Sequence, residues 1–323
     1  MIPSLLRFLW SIVAWFLGPI LRLMNPKHNL PFAHPSRPPP DPNLFPRYMQ
    51  NKQGIWLRWT EWSPRAAPTA VVFIVSGRGE HAGRYDSLAY TLTAEGYQVF
   101  SMDHQGQGGS EGDRSYVERF QDYVDDTQAF VKRIMTLRYG LSQLPKFLIG
   151  HSMGGLISVH LALRDQTFWN GIILSAPALE ADPKVATPFM KAAASLLSDF
   201  LPKLGFEKLG VETLSTNRAV VEFAQQDPLF PGERLKARWG FEMLKNMDEV
   251  WEKVNQVKFP YVLVHSADDA ICSINGSRKF HSLNQSSDKK LVEYSGMFHE
   301  LFTEVNRHKV FGEVLEFIAR RAK

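Results

Sequence analysis

Cysteine is almost absent from this chain, and long runs of charged or of apolar residues are missing. One cysteine, Cys272, occurs among 323 residues, which excludes an intramolecular disulfide framework and a zinc site built on several cysteines. The formal net charge is only +4, without a Lys/Arg block of the kind that grips nucleic acid, so we expect no nucleic-acid partner. Apolar side chains are plentiful, at 44% of the residues. This supply predicts a globular protein with a sizeable core, and disordered chains and coiled coils are poor fits.

The first 24 residues differ from the rest of the chain. The 14 residues from Phe8 to Leu21 carry no charge, whereas a spanning helix usually needs about 20 apolar residues. Small or polar residues recur here at steps of three and four, which places them on one stripe of a helix. Residues 1–24 therefore predict a helix lying in the membrane interface. A short signal anchor, a cleaved signal peptide and a helix packed on the domain itself are the alternatives.

Residues 25–46 are rich in proline. Eight prolines lie between Pro26 and Pro46, and such a stretch favours extended polyproline II over a helix. We predict a linker that holds a globular domain, residues 47–323, away from a membrane. A proline-rich arm lying on the surface of the domain is the alternative.

From about Asn43 onward, short apolar runs alternate with helical periods. The runs that predict strands are Ala70–Val75, Gln98–Met102, Lys146–Ile149, Gly171–Ser175, Tyr261–His265 and Lys290–Tyr294. The helical periods include Tyr85–Ala94, Val117–Leu137, Leu156–Arg164 and Val305–Ala322. This alternation predicts an α/β fold with a mostly parallel central sheet and helices on both faces. Functional residues are then expected at the carboxyl ends of the strands.

The main chemical signal is the G-x-S-x-G motif at residues 150–154. It follows a predicted strand and precedes a predicted helix, which is the context of a nucleophile elbow. We therefore predict Ser152 as a nucleophile, with an ordinary tight turn as the alternative.

A serine nucleophile needs a base, and the base needs an acid to orient it. His299 follows the last predicted strand, and Asp268 and Asp269 follow the strand before it, in the chain order Ser, Asp, His. We predict the triad Ser152, Asp268 and His299, since Asp268 lies closer to the strand end. Asp269 is the rival acid.

An oxyanion hole needs backbone N–H groups that face the developing negative charge. Met153, the residue after the nucleophile, is expected to supply one of them. The glycine-rich loop after an early strand, residues 76–81, is expected to supply the other from Arg78. A strand–helix turn without a catalytic part is the alternative for this loop.

Five short stretches of the sequence can be compared with known families: SGRGEHAGRY, DHQGQGGSEG, GHSMGG, SADD and YSGMFHE. They resemble the monoglyceride lipase family of α/β-hydrolases, and the similarity extends from about Asn43 to Lys323. The resemblance implies the α/β-hydrolase fold with a helical lid, no cofactor and no metal. It also implies that Glu80 and Arg84 help to receive glycerol, although from the residues alone they could form a surface ion pair at a helix start.

This chain departs from the pattern of the family at three positions. Ser76 stands where the family usually has a histidine of the oxyanion loop. Phe302 and Ala224 stand where the family has a second histidine and a tyrosine near the glycerol. Both of these changes remove polar contacts from the acceptor end, so the resemblance implies ester hydrolysis more firmly than a preference for monoacylglycerol.

A segment of about 70 residues, 177–247, interrupts the series of predicted strands. Within it, apolar residues recur at helical spacing, among them Phe189, Leu196, Leu197 and Phe200. This segment resembles the lid that covers the acyl tunnel in the family and touches membranes. A helix packed wholly inward is the alternative.

Together these observations predict a serine hydrolase that cleaves monoacylglycerol through an acyl-enzyme. The expected partners are the lipid substrate and a membrane surface, contacted through residues 1–24 and the lid. The expected location is the cytosolic face of the endoplasmic reticulum, a lipid droplet or the plasma membrane. A lysophospholipase or broad carboxylesterase on the same triad is the alternative within enzymes, and a non-catalytic lipid-binding membrane protein is the alternative outside them.

Overall fold

The computed structural model describes residues 47–181, 188–205, 210–230 and 234–322, with only the backbone at residue 139 and residues 188–193. The predicted membrane helix (residues 1–24) and the whole proline-rich linker (residues 25–46) precede this range. The predictions for residues 1–46 therefore lie outside the described residues.

An eight-stranded sheet forms the centre of the described chain, in the order β1-β2-β4-β3-β5-β6-β7-β8. Its strands are β1 (Tyr48–Gln50), β2 (Trp56–Trp62), β3 (Ala70–Val75), β4 (Tyr97–Met102), β5 (Lys146–His151), β6 (Gly171–Ser175), β7 (Tyr261–Ser266) and β8 (Lys289–Tyr294). Strand β2 pairs antiparallel with β1 and β4, and all other neighbours are parallel. The carboxyl ends of β3 to β8 therefore meet at one edge of the sheet, where ligands of such folds bind.

Eight α-helices lie in the described residues. They are α1 (Asp86–Ala94), α2 (Phe120–Leu137), α3 (Met153–Arg164), α4 (Pro188–Phe200), α5 (Arg218–Gln226), α6 (Ala237–Lys253), α7 (Ile274–Leu283) and α8 (Arg307–Ala319). Short 3₁₀ helices cover Ala82–Tyr85, Tyr139–Gln143, Val211–Thr213 and Val254–Gln256. None of the helices in the described parts of the chain is both long enough and apolar enough to cross a bilayer.

Two apolar cores lie on opposite faces of the sheet, because successive strand residues point to alternate sides. In β3, Val71, Phe73 and Val75 join one core together with α2, α3, α6 and α7. Val72 and Ile74 join the other core with α1 and α8. The fold is thus a sheet covered by helices on both faces, as the sequence predicts.

All six predicted strands and all four named helical periods are present, with ends that shift by no more than three residues. Strands β1 and β2 at the antiparallel edge were not predicted. Fully buried residues in these strands are interspersed with more exposed ones, because both strands lie near the sheet edge and not in its doubly covered centre.

The chain between β6 and β7 contains helices α4, α5 and α6, where the sequence predicts a lid over residues 177–247. Helix α6 contributes Trp239, Met243 and Val250 to a core beneath the sheet. The carboxyl-terminal part of the predicted segment therefore belongs to the helical layer of the domain. Helix α4 packs on α6 and lies further out.

Candidate active site

Ser152 stands at a strained turn between β5 and α3. Its backbone has φ 54° and ψ −120°, a conformation that residues with a side chain rarely adopt. A Cβ on Gly150 would lie 2.3 Å from Ser158 Oγ, and one on Gly154 would lie 2.0 Å from the carbonyl oxygen of Val75. Glycine is therefore required on both sides of the turn, which has the strand–turn–helix geometry that the motif predicts.

Asp269, and not Asp268, is the carboxylate that the structure brings to His299. Asp269 Oδ2 accepts a hydrogen bond from His299 Nδ1 at 2.7 Å. Asp268 Oδ2 instead accepts from the backbone N–H of Gly296, also at 2.7 Å. Strand β7 runs to Ser266, so the turn that follows leaves Asp268 exposed and directs the next carboxylate toward the histidine. The prediction of Asp268 as partner of His299 is wrong, and the rival Asp269 has the required geometry.

The Asp269 side chain is fully buried and held at both oxygens. Its Oδ1 accepts from the backbone N–H groups of Ile271, at 2.8 Å, and Cys272, at 3.0 Å. Its Oδ2 also lies 3.1 Å from His265 Nε2. Burial by itself would raise the pKa of Asp269, but the hydrogen bonds from His265 and His299 hold it well below its usual range. The carboxylate is therefore ionised at neutral pH.

His299 is buried beside this carboxylate. Burial would lower the pKa of His299, but the hydrogen bond and the negative charge of Asp269 outweigh burial and raise that pKa above its ordinary value. Because Nδ1 donates to Asp269, the neutral ring presents Nε2 as an acceptor. This is the tautomer that a general base needs.

Ser152 and His299 line one cavity at the carboxyl edge of the sheet. Its walls are Gly77, Arg78, Glu80, His151, Ser152, Gly210, Val211, Leu214, Phe230, Ile271, His299 and Glu300. Ser152 Oγ lies 3.9 Å from Cys272 Sγ, so the hydroxyl contacts the buried thiol. Burial raises the pKa of Cys272 well above its usual value, which keeps the thiol protonated and unreactive.

The loop of residues 76–81 lies directly against Ser152. A Cβ on Gly77 would lie 3.3 Å from Ser152 Cβ and 2.6 Å from Glu80 Oε2, so a larger residue here would displace these neighbours. The N–H of Gly77 donates to Glu80 Oε2 at 2.6 Å, and the N–H of Gly79 donates to Gln107 Oε1 at 2.7 Å. The backbone on either side of Arg78 is thereby held next to the nucleophile. Met153 opens helix α3, where the first N–H groups have no partner within the helix.

Glu80 and Glu300 form an acidic wall of this cavity, with Arg84 behind them. Arg84 Nη2 donates to Glu300 Oε2 at 2.6 Å, and Arg84 Nε donates to Glu80 Oε1 at 3.4 Å. The Tyr85 hydroxyl donates to Glu80 Oε2 at 2.6 Å. The Arg84 side chain is only 3% exposed, so the surface ion pair considered for Glu80 and Arg84 is excluded. The pair is buried at the site.

The two carboxylates of the acidic wall differ in their pKa. Burial would raise the pKa of Glu80, but His151, Arg84 and two hydrogen bonds lower it below its usual value. Burial raises the pKa of Glu300 above its usual value, and the charge of Glu80 adds to this against the opposing effect of Arg84.

Phe302 and Ala224 do not line the cavity that holds Ser152. Phe302 is 5% exposed, and its ring packs in the core against Tyr85, His151 and Phe311. Ala224 is 1% exposed on α5. The prediction that these two positions face the substrate is wrong, because both side chains are buried away from the cavity that holds Ser152.

Three of the four predicted lid residues do not line the cavity that holds Ser152. Leu196, Leu197 and Phe200 of α4 are partly buried but are not among the residues that line the cavity, and Phe189 lies outside the residues whose side chains are described. The segment between β6 and β7 reaches the cavity instead through Gly210, Val211, Leu214 and Phe230. These residues follow α4 or α5, where the chain turns back toward the nucleophile.

Within the described residues no group of three or more His, Cys, Asp or Glu side chains is arranged to hold a metal ion. The arrangement around Ser152 supports acyl transfer through a serine, an imidazole and a carboxylate. All of the groups that this chemistry needs come from the ends of β3, β5, β7 and β8.

Comparison with known proteins agrees with this geometry. The family model described as serine aminopeptidase S33 matches residues 66–306. Monoglyceride lipase of Mus musculus is 33% identical over 276 residues, which cover 85% of this chain and 90% of the mouse protein. The chain belongs to the monoglyceride lipase family. The resemblance carried by the five sequence stretches is thereby confirmed.

This chain is also similar to solved structures of monoglyceride lipases in its three-dimensional fold. The crystal structure of Paleococcus ferrophilus monoacylglycerol lipase superposes with a TM-score of 0.73 at 26% identity, over 82% of this chain and 99% of that one. A soluble variant of monoglyceride lipase from Saccharomyces cerevisiae, in complex with a substrate analog, gives a TM-score of 0.77 at 22% identity, over 85% and 95%. The α/β-hydrolase fold predicted for this chain is confirmed.

Sequence reasoning missed two residues of this site. Glu300 follows His299 directly, and a charged residue next to the expected catalytic histidine was the available signal. His265 lies 3.1 Å from Asp269 and is the penultimate residue of β7, but a histidine near a strand end is also common without any role.

Proposed function

We propose that this protein is a serine ester hydrolase that cleaves monoacylglycerol to a fatty acid and glycerol. The observation that carries the proposal is the alignment of Ser152, His299 and Asp269 at one edge of the sheet, with His299 Nδ1 held 2.7 Å from Asp269. Membership of the monoglyceride lipase family, and the name of the mouse relative, support the choice of substrate.

The proposed reaction follows from the positions of these groups. His299 Nε2 takes the proton of Ser152 as its Oγ attacks the ester carbonyl, and Asp269 stabilises the imidazolium that forms. The backbone N–H groups of Met153 and Arg78 receive the developing oxyanion. His299 then protonates the departing glycerol oxygen, and a water molecule activated by the same ring releases the fatty acid. No step calls for a cofactor.

A labelling experiment separates this proposal from a non-catalytic lipid-binding protein. A fluorophosphonate probe should label the wild-type chain and fail to label Ser152→Ala. Hydrolysis of a panel of monoacylglycerols, diacylglycerols, lysophospholipids and short esters should then show monoacylglycerol with the highest kcat/KM. An unlabelled, correctly folded wild-type protein would refute the enzyme, and a higher rate on another ester class would refute the substrate.

We further propose that the protein works at a membrane surface, through residues 1–24 and the segment between β6 and β7. The composition of residues 1–24 supports the first contact. Leu201, Leu204 and Phe223 support the second, since these large apolar side chains are 41%, 42% and 62% exposed. The lone cysteine, and the basic residues Arg7 and Arg22 on either side of the apolar run, agree with the cytosolic face of an internal or plasma membrane.

Sedimentation with vesicles of phosphatidylcholine and phosphatidylserine tests this second proposal. A chain without residues 1–46 should remain folded and active on dispersed substrate but sediment much less than the full chain. Phe223→Ser in the full chain should reduce sedimentation only slightly, because a single exposed side chain contributes little against a long apolar segment. Equal sedimentation of the full and shortened chains would mean that the membrane contact lies elsewhere.

A further inference from the structure

The acidic wall contains two carboxylates but a single guanidinium between them. Both oxygens of Glu300 lie within 2.7 Å of Arg84 Nη2, and Glu80 receives Arg84 Nε at 3.4 Å. Both glutamates line the cavity beside Ser152 and His299. One Arg84 charge balances one of the two carboxylates, so the wall keeps an excess negative charge when both are ionised.

The Arg84 guanidinium is fully engaged by its protein contacts and is not accessible to a ligand in the cavity. Its side chain is 3% exposed, and its guanidinium carbon lies 4.5 Å from the centre of the Phe230 ring. The carboxylates cover the edges of the guanidinium, and the phenyl ring covers its face. A phosphate entering the cavity would meet the carboxylates before it could reach Arg84.

Glu300 retains hydrogen-bonding capacity toward the cavity. Among the described residues, Arg84 is the donor to its Oε1, whereas its Oε2 accepts from Arg84 and from the Thr303 hydroxyl at 3.1 Å. A carboxylate oxygen can accept about two hydrogen bonds, so Oε1 can take one more donor. A glycerol hydroxyl is such a donor, whereas an ionised phosphate only accepts.

We infer that Glu300 makes this site selective for esters of uncharged, hydroxyl-bearing alcohols. It disfavours the binding and hydrolysis of esters whose alcohol carries an anionic group, such as a lysophosphatidate. The inference rests on the proposed function, since it concerns the departing alcohol of the same ester. Two effects act together. The hydroxyl of a neutral head group gains an acceptor, and the phosphate of an anionic one is placed beside a like charge in a partly desolvated cavity.

Arg78 is the cation that could oppose this selection, because it also lines the cavity. Its guanidinium carbon lies 5.2 Å from the centre of the Trp239 ring, on the side of helix α6. Glu300 instead follows His299 directly in the chain, next to the group that protonates the leaving alcohol. We therefore expect the charge of Glu300, and not that of Arg78, to determine how well the site accepts an ester that carries a phosphate.

The test compares three short-chain octanoyl substrates on the full-length enzyme at pH 8, which favours ionised carboxylates. They are 1-octanoylglycerol, its 3-O-methyl ether and its 3-phosphate. For the wild type, kcat/KM for the glycerol ester should exceed that for the phosphate by about a hundredfold, and that for the methyl ether by less than about tenfold. If the wild type hydrolysed the ether and the phosphate equally poorly, this measurement alone would overturn the inference, because the size of the head group and not its charge would then determine the rate.

Glu300→Gln should lower the ratio of glycerol ester to phosphate by about tenfold, mainly by raising kcat/KM for the phosphate. The glutamine keeps the shape of the side chain and leaves Arg84 paired with Glu80. Glu304→Gln is the matched control. Glu304 lies four residues further along the chain and is also buried, but it accepts hydrogen bonds from the backbone N–H groups of Thr216 and Phe298 and does not line the cavity. That control should leave the ratio unchanged.

The outcomes separate this inference from the proposed function. A wild type that hydrolyses 1-octanoylglycerol but prefers its phosphate, with that preference lost in Arg78→Gln, would assign the phosphate to Arg78 and overturn the inference only. An unchanged ratio in a folded Glu300→Gln would also overturn it. A wild type that hydrolyses none of the three substrates would refute the proposed function.

Discussion

Asp269→Asn is expected to disable the enzyme through the tautomer of His299. Asp269 Oδ1 accepts from the backbone N–H groups of Ile271 and Cys272, at 2.8 and 3.0 Å. An asparagine at this position would keep its carbonyl oxygen on those two donors and turn its NH₂ group toward His299. The NH₂ group would donate to Nδ1, so the neutral ring would carry its proton on Nε2. That nitrogen could then no longer accept the proton of Ser152.

The expected loss follows from the role of the acid in a serine triad. Replacing the triad aspartate with asparagine in a serine protease lowers kcat by about 10⁴, equal to about 5.4 kcal/mol of transition-state stabilisation. We expect a similar loss for Asp269→Asn, with KM little changed. The residual rate would come from substrate binding and from the oxyanion donors that we propose at residues 78 and 153.

Asp268→Asn is the matched control for this experiment. Asp268 is exposed and its Oδ2 accepts from the backbone N–H of Gly296 at 2.7 Å, so its amide should cost less than about tenfold in kcat. Steady-state hydrolysis of 1-octanoylglycerol, with circular dichroism to verify folding, gives both values. A loss of several orders of magnitude in Asp268→Asn, with Asp269→Asn active, would refute the assignment drawn from the structure.

Three further outcomes are expected. The kcat/KM should fall as pH falls through the pKa of His299, which lies above its ordinary 6.5, and a pH–rate profile with its acid limb well below 6.5 would contradict this. Burial raises the pKa of Asp126 to about 7, despite hydrogen bonds from Asn51 and Gln105, so the native state loses stability as pH rises from about 4 to 7. Asp126→Asn should therefore raise Tm relative to wild type at pH 8 but not at pH 4, and equal Tm values at pH 8 would refute the reasoning. Phe302→His should lower Tm, because it buries a polar ring, and should leave the ratio of rates on monoacylglycerol and methyl ester unchanged; a raised ratio would place this residue at the glycerol.

The sequence by itself was sufficient for the six parallel strands of the sheet and for the nucleophile elbow at Ser152. Strands such as Ala70–Val75 are buried on both faces, so their continuous apolar runs are visible without any tertiary information. The turn at Ser152 is equally local, because the glycines at 150 and 154 and the flanking strand and helix all lie within a few residues of it. Membership of the monoglyceride lipase family was readable for the same reason, since its motifs are short and contiguous.

Tertiary structure decided which side chains meet. Asp268 and Asp269 are adjacent in sequence, and only the turn after β7 determines that one faces Gly296 and the other His299. Phe302 lies three residues after His299 but points into the core, because the chain there turns toward helix α8. The position of the Glu300 carboxylate at the site depends on its pairing with Arg84, which lies 216 residues away along the chain. Pairings over such distances depend on how the strand ends are arranged in space, and no local pattern in the sequence encodes them.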